Sequence, residues 1–173
     1  MSAPLPVRVL PMRERHLPAV VALEQQVQPH PWTRAMFQAE LAGHHTDRRW
    51  LIAAVGTELV GFCGLWCSLD EVHIMNIAVA PAWQGRRVGQ RLMVEAGRWA
   101  LQQGASDLTL EVRATNRAAQ SLYRKFGLAP VGLRRNYYAE SGEDALIMTA
   151  ADIQQPSWRQ RLDDLAAGAG LSP

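Results

Sequence analysis

Hydrophobic and polar positions alternate in two different rhythms along this chain, and each change of rhythm marks a new element. Leu17, Val20, Val21 and Leu23 share one side of a helix, with Pro18 acceptable only in its first turn. Pro29-His30-Pro31-Trp32 interrupts it, and Thr33 stands as an N-cap for a second helix carrying Met36, Phe37 and Leu41, ended by Gly43. Trp50 to Val55 and Leu59 to Cys67 then read as a hairpin turning at Gly56-Thr57, followed by a third strand from Val72 to Val79. After Pro81 the helical period returns in Val88, Leu92, Met93, Ala96, Trp99 and Ala100, and Gly104 closes that helix.

Leu108 to Val112 is a strand with Leu108, Leu110 and Val112 on one face and Thr109, Glu111 and Arg113 on the other. Asn116 caps the next helix, which carries Ala119, Leu122 and Phe126 and stops at Gly127. Leu128 to Tyr137 and Ala145 to Met148 close the pattern around the polar turn Glu140-Ser141-Gly142-Glu143. The order is ααβββαβαββ, with a candidate strand at Val7 to Leu10 before it. This is an α/β chain with one domain over residues 1–150 and a tail over 151–173. In the tail, Ser157 caps a helix with Trp158, Leu162 and Leu165 that docks on the body, or the segment is a mobile end.

Length and composition narrow the class. A chain of 173 residues builds one well-buried core, and 48% hydrophobic with 20% charged residues is the balance of a soluble globular protein. A net charge of +2 gives no basic surplus for nucleic acid, although every basic residue except Lys125 is arginine. Met1 to Leu10 does not read as a signal peptide, and no apolar run approaches the ~20 residues of a membrane span. Cys63 and Cys67 fall on one strand, roughly 13 Å apart, too far for a disulfide; free thiols suit the cytosol. No ligand set for a metal stands nearby.

Three places carry candidate chemistry. Gln84-Gly85-Arg86-Arg87-Val88-Gly89 lies between a strand and the amphipathic helix. A turn there points backbone N–H groups and a helix N-terminus outward, which suits a pyrophosphate, and Arg86 and Arg87 can add charge-assisted bonds. An exposed basic turn has the same composition. Glu111 is the one carboxylate in Leu108-Thr109-Leu110-Glu111-Val112, either a reactive group or part of a solvated face. Tyr123 follows on the next helix, either reactive or a core tyrosine with its hydroxyl at the rim.

Taken together, the residues resemble a known family. Asn76-Ile77-Ala78-Val79, then Gln84 to Gly89, then Leu110-Glu111-Val112-Arg113-Ala114-Thr115-Asn116, then Leu122-Tyr123 are similar in order and spacing to the GNAT acetyltransferases. Within them, Arg134-Arg135-Asn136-Tyr137-Tyr138, followed by Gly142 to Met148, resembles the N-terminal α-amine acetyltransferases of the RimI type. His30-Pro31-Trp32-Thr33 fits the same group. The resemblance covers roughly residues 7 to 150 and leaves the tail unmatched.

The resemblance implies a GNAT fold: a mixed, mostly antiparallel sheet flanked by helices and splayed between two central parallel strands, one ending at Val79 and one carrying Glu111. Acetyl-CoA would lie in the split. Backbone groups of Ile77, Ala78 and Val79 would pair with pantetheine, and the N–H groups of Gly85, Arg86, Arg87, Val88, Gly89 and Gln90 would hold the pyrophosphate. Asn116 would contact the coenzyme where the strands part. Glu111 becomes the base that frees the amine and Tyr123 the donor to the leaving thiolate. Trp32, Tyr137 and Tyr138 line the acceptor cleft, or pack.

Where Arg87 stands the family usually has Gly, so its side chain either points away from the phosphates or bonds to them; the expectation is contact. The implied acceptor is a protein N-terminus, an alanine of a ribosomal protein, met in the cytoplasm by a monomer without metal, membrane or direct nucleic-acid contact. A lysine side chain or a small-molecule amine stays open as acceptor, as does a non-catalytic acetyl-CoA-binding module.

Overall fold

The computed structural model describes residues 6–173; residues 1–5, the start of the expected domain and of the segment read for a signal peptide, lie outside the described residues. The chain runs β1 (Val7–Pro11), α1 (Leu17–Val27), α2 (Arg34–Ala42), β2 (Arg48–Val55), β3 (Glu58–Ser68), β4 (Glu71–Val79) and α3 (Val88–Gln102). It continues through β5 (Asp107–Arg113), α4 (Arg117–Lys125), β6 (Ala129–Tyr138), β7 (Glu143–Ala150) and α5 (Pro156–Gly168). The expected order of elements is present, with the N-terminal strand included.

All seven strands form one sheet in the order β1-β2-β3-β4-β5-β7-β6. Neighbours are antiparallel except β4 and β5, which run parallel because α3 crosses between them. Two cores cover the two faces. On one face α3 packs Val88, Leu92, Met93, Ala96 and Ala100 against Leu65, Val72, Ile74, Leu108 and Leu110. On the other, Leu17, Val20 and Leu23 of α1 and Phe37 of α2 pack with Trp50, Ile52, Phe62 and Ala78.

β4 changes face part-way along. Ile74 pairs with Leu65 and Asn76 with Gly64, so Met75 is an additional residue without a partner on β3. This is a β-bulge, which lets consecutive side chains share a side and bends the strand. Ile74 belongs to the α3 core, whereas Met75 packs toward α1 and Asn76 reaches Glu24 of α1.

Local chemistry explains the helix ends. The Thr33 side chain accepts from the Met36 N–H, as an N-cap should. Gly104 and Gly127 take positive φ (71° and 80°) and end α3 and α4, whereas Gly43 leaves α2 in an extended conformation. The tail is a docked helix. Trp158, Leu162 and Ala166 are buried against α3, and Trp158 Nε1 donates to the Phe126 carbonyl at 2.8 Å. Ser157 is not its cap. Pro156 fixes the first turn and the chain enters from an extended Gln155, which places Ser157 already inside the helix.

Candidate active site

The parallel ladder between β4 and β5 is three residues long: Glu71 with Asp107, Val72 with Leu108, and His73 with Thr109. Beyond that point β4 keeps β3 as its partner and β5 keeps β7, through Arg113 opposite Ala145. The strands fork, and the edge of β4 that faces the fork loses its neighbour from Ile74 to Val79. Backbone groups on such an edge are donors and acceptors for a ligand. Ile77, Ala78 and Val79 lie on this open stretch.

The turn after β4 is held back onto the strand, because Gln84 Nε2 donates to the Val79 carbonyl at 3.3 Å. Gly85 and Arg87 both take positive φ (75° and 64°), and Val88 begins α3. The first helical bond joins Arg91 N–H to the Arg87 carbonyl, so the N–H groups of Val88, Gly89 and Gln90 have no intrahelical acceptor. No side chain caps this end and no acidic residue lies in its first turn. An uncapped positive helix end is suited to an anion. Gly89 also serves the packing of the helices. A Cβ there would fall 2.9 Å from Leu122 Cδ2, so its absence lets α4 close against α3.

The arginines of the turn are both engaged by protein. The Arg86 guanidinium lies 5.0 Å from the centre of the Trp83 ring. Arg87 donates through Nη1 to the carbonyl of Gly168 at the end of α5. Its positive φ lies in the left-handed region, which glycine adopts without strain. Gln90 Nε2 also bonds to α5, at the Leu165 carbonyl (2.9 Å).

Glu111 lies just past the fork on β5, on the face opposite Leu110 and Val112. His73 Nε2 stands 2.5 Å from its Oε2, and Arg134 Nη2 of β6 is 3.6 Å from its Oε1. The hydrogen bond from His73 is the main reason that the Glu111 carboxyl is held below its ordinary range; the His73 and Arg134 charges act the same way, against the opposing effect of burial. Glu111 is thus an ionised carboxylate at neutral pH, and a partly enclosed one.

Tyr123 comes to the fork from α4 and is buried in the α3-side core. Burial first, then the neighbouring Cys63 and Tyr138, raise its phenol above the usual tyrosine range, so it stays protonated. Cys63 is buried on β3 opposite Ile77, and burial pushes its thiol up to about 12. Both cysteines are free. Asn116 uses its Oδ1 to cap α4 by accepting from the Ala119 N–H at 3.1 Å.

Two loops approach each other beside Glu111. Arg113 donates to Glu140 at 2.5 Å and to Glu143 at 3.3 Å, and its guanidinium covers the Tyr138 ring at 3.8 Å. Tyr137 and Tyr138 meet edge to face with centres 5.1 Å apart, Tyr137 about half exposed at 48%. His30, between α1 and α2, lies 3.8 Å from Glu140, between β6 and β7. Trp32 packs on Phe37 and Trp50, at 5.3 and 5.5 Å between ring centres, and its backbone N–H donates to Glu24. Glu24 is 1% exposed, and its other oxygen accepts from Asn76 Nδ2 at 3.0 Å.

Residues 17–128 match the acetyltransferase (GNAT) family, across the fork, the turn and both candidate catalytic residues. This chain belongs to the GNAT acetyltransferases. It is 41% identical over 122 residues to the N-alpha-acetyltransferase RimI of Mycobacterium tuberculosis, covering 68% of this chain and 74% of that one. It is 34% identical over 134 residues to the [ribosomal protein bS18]-alanine N-acetyltransferase of Salmonella typhimurium, covering 76% and 88%. The crystal structure of the ribosomal-protein-S18-alanine N-acetyltransferase from Escherichia coli superposes with a TM-score of 0.75 at 29% identity, over 84% and 94% of the two chains.

Sequence reasoning missed several groups around the site of this acetyltransferase. His73 and Glu24 carry no motif, Arg134 stands in one without a role of its own, and each matters through a partner that is 38, 52 or 23 residues away. Glu24 alone left a signal, an acid directly beside Leu23 on the apolar side of α1. Among the described residues, no group of three acidic, histidine or cysteine side chains could hold a metal ion, and no helix is long and apolar enough to cross a membrane.

Proposed function

We propose that this acetyltransferase moves the acetyl group of acetyl-CoA onto the α-amine of a protein N-terminus, and that its natural acceptor is an N-terminal alanine of a ribosomal protein. One observation carries the proposal: an ionised carboxylate, Glu111, is fixed by His73 at the point where two parallel strands part. The names of the Salmonella and Escherichia relatives support the acceptor.

The coenzyme fits the residues present. The turn from Gly85 and the uncapped N-terminus of α3 as far as Gln90 suit its pyrophosphate, and the open edge at Ile77 to Val79 suits its amide-bearing arm. Acetyl-CoA supplies the activated thioester. The backbone N–H groups near Ile77 to Val79 would steady negative charge developing on the thioester oxygen. Glu111, directly or through one water, takes the proton that the amine loses as it attacks.

The strength of that base selects the amine. A carboxylate below its ordinary range is a weak base, and an α-amine with a pKa of about 8 is already neutral in roughly a tenth of molecules at pH 7. A lysine amine near ~10.4 is neutral hundreds of times more rarely. Tyr123 acts on the departing sulfur chiefly as a hydrogen-bond donor. Its raised phenol is a weaker acid than a thiol of about 8.5, so complete proton transfer to the thiolate runs uphill.

The acceptor enters between the loops that His30 and Glu140 bring together, with Tyr137 and Tyr138 on one side and Trp32 at the base of the other. A steric slot separates side chains differing by one methylene by only about 1–3 kcal/mol, so Ala and Ser are accepted at graded rates. We propose further that the enzyme works in the cytoplasm as a monomer. Matched peptides decide the acceptor, one with a free N-terminus and one blocked but bearing an internal lysine. Faster acetylation of the free N-terminus is expected; preference for the blocked peptide would transfer the proposal to lysine, and no turnover of either would favour a binding module.

A further inference from the structure

We infer that α5 is a brace for the coenzyme turn, and that Arg87 and Gln90 serve acetyl-CoA binding from behind, as positioning residues tied to that helix. The inference rests on the reading that the pyrophosphate sits on the N–H groups of Gly85 to Gln90. α5 lies outside residues 17–128, the part that matches the family.

The helix is anchored first by apolar contact. Trp158 and Leu162 cover Gly97 of α3 so closely that a Cβ at Gly97 would fall 3.0 and 2.9 Å from them. From there α5 runs antiparallel to α3, which brings its last carbonyls beside the first turn of α3. The last carbonyls of a helix form its negative end, a favourable partner for a cation, although that of Leu165 also accepts from the Ala169 N–H. Gln90 Nε2 bonds the Leu165 carbonyl at 2.9 Å and Arg87 Nη1 bonds the Gly168 carbonyl. Farther along α3, Arg98 Nη2 reaches the carbonyl of Ser172.

Arg87 also needs such support. Its φ of 64° and ψ of 15° lie in the left-handed region, which is unfavourable for a residue with a Cβ. Glycine adopts that conformation without strain. Here an arginine adopts it, and the bond to Gly168 draws the chain into the turn that the N–H groups of α3 require.

The experiment compares wild-type protein with Arg87→Ala, Arg87→Gly and Gln90→Ala by acetyl-CoA titration at low and high salt. Amide hydrogen exchange with and without acetyl-CoA accompanies it. Arg87→Ala should weaken binding about tenfold at both salt concentrations, the scale of one charge-assisted bond. Gln90→Ala should weaken it less. Arg87→Gly should recover most of the loss, because glycine keeps the turn without the brace. In Arg87→Ala, amides of residues 85–90 and 165–171 should exchange faster together, while those of the sheet stay protected and show that the fold is intact. A phosphate-binding Arg87 would give the opposite pattern, with glycine as harmful as alanine and a reduced salt dependence, and would overturn the brace. If acetyl-CoA fails to protect residues 85–90 even in the wild-type protein, the placement of the coenzyme is wrong and the brace falls with it.

Discussion

His73 is the last residue of β4 that pairs with β5, and its Nε2 lies 2.5 Å from Oε2 of Glu111, two residues past the final pair on β5. One side chain thus closes the ladder and fixes the carboxylate at its open end. The removal of either partner should be felt at the other.

Glu111→Gln removes the proposed proton acceptor and keeps the shape. Turnover near neutral pH should fall roughly 10²–10³-fold, the usual range for a general base. At pH 9 most of the α-amine is already neutral, so part of the loss should return. A pH–rate profile checks both, and an unchanged rate at pH 7 would reduce Glu111 to a structural residue.

His73→Phe tests the pair through stability. The carboxyl of Glu111 is depressed in the fold, chiefly by the His73 hydrogen bond, so its contribution is present above the ordinary carboxylate range and is lost as pH falls through the depressed value. The variant should be less stable than the parent by about 1 kcal/mol at pH 7, discounted for partial exposure, and the gap should narrow toward pH 3. Urea midpoints at the two pH values report it.

Tyr123→Phe should lower kcat while leaving acetyl-CoA affinity within a few-fold, because in the proposed mechanism the hydroxyl acts on a group that becomes charged only as it leaves. Steady-state kinetics with a separate coenzyme titration separate the two effects. Weak binding with normal turnover at saturation would make Tyr123 a binding residue.

Glu24→Ala leaves two donors, Asn76 Nδ2 and the Trp32 N–H, without their acceptor. The expected loss is about 1–3 kcal/mol of stability, with a higher KM for peptide because the loop carrying Trp32 loosens. Burial raises the Glu24 carboxyl above its ordinary range, so its contribution is complete below the unfolded value and diminishes as pH rises through the raised one. The stability difference should therefore be larger at pH 4 than at pH 8, as denaturant titrations would show.

Elements with a strong local signal are legible in the chain alone. Thr33 and Asn116 cap where their side chains predict, and the spacing from Val88 to Ala100 buries the face it should. Ser157 differs from its expected place because a capping residue and a first-turn residue look alike until the backbone of Gln155 is known. The Glu111 site is legible through resemblance, and its electrostatics are not. His73, Arg134 and Glu24 meet their partners only after strands are ordered, and a strand order depends on long-range packing that no local window contains. Arg87 shows the same limit: its unusual backbone is foreseeable from the missing glycine, its partner in α5 is not.

Met75 is one residue more than β4 needs to match β3. Without it, Ile74 and Asn76 would be adjacent, the register with β3 would be unchanged, and side chains would still alternate correctly between the two cores. The strand would simply run straight. A straight β4 could go on pairing with β5 past His73 and Thr109, and the sheet would gain hydrogen bonds as far as the cleft vanished. Deletion of Met75 should therefore yield a protein as durable as its parent in thermal unfolding and blind to its coenzyme in a titration. On the proposed reading, the place of the coenzyme is an unfinished sheet, and a single surplus amino acid keeps it open.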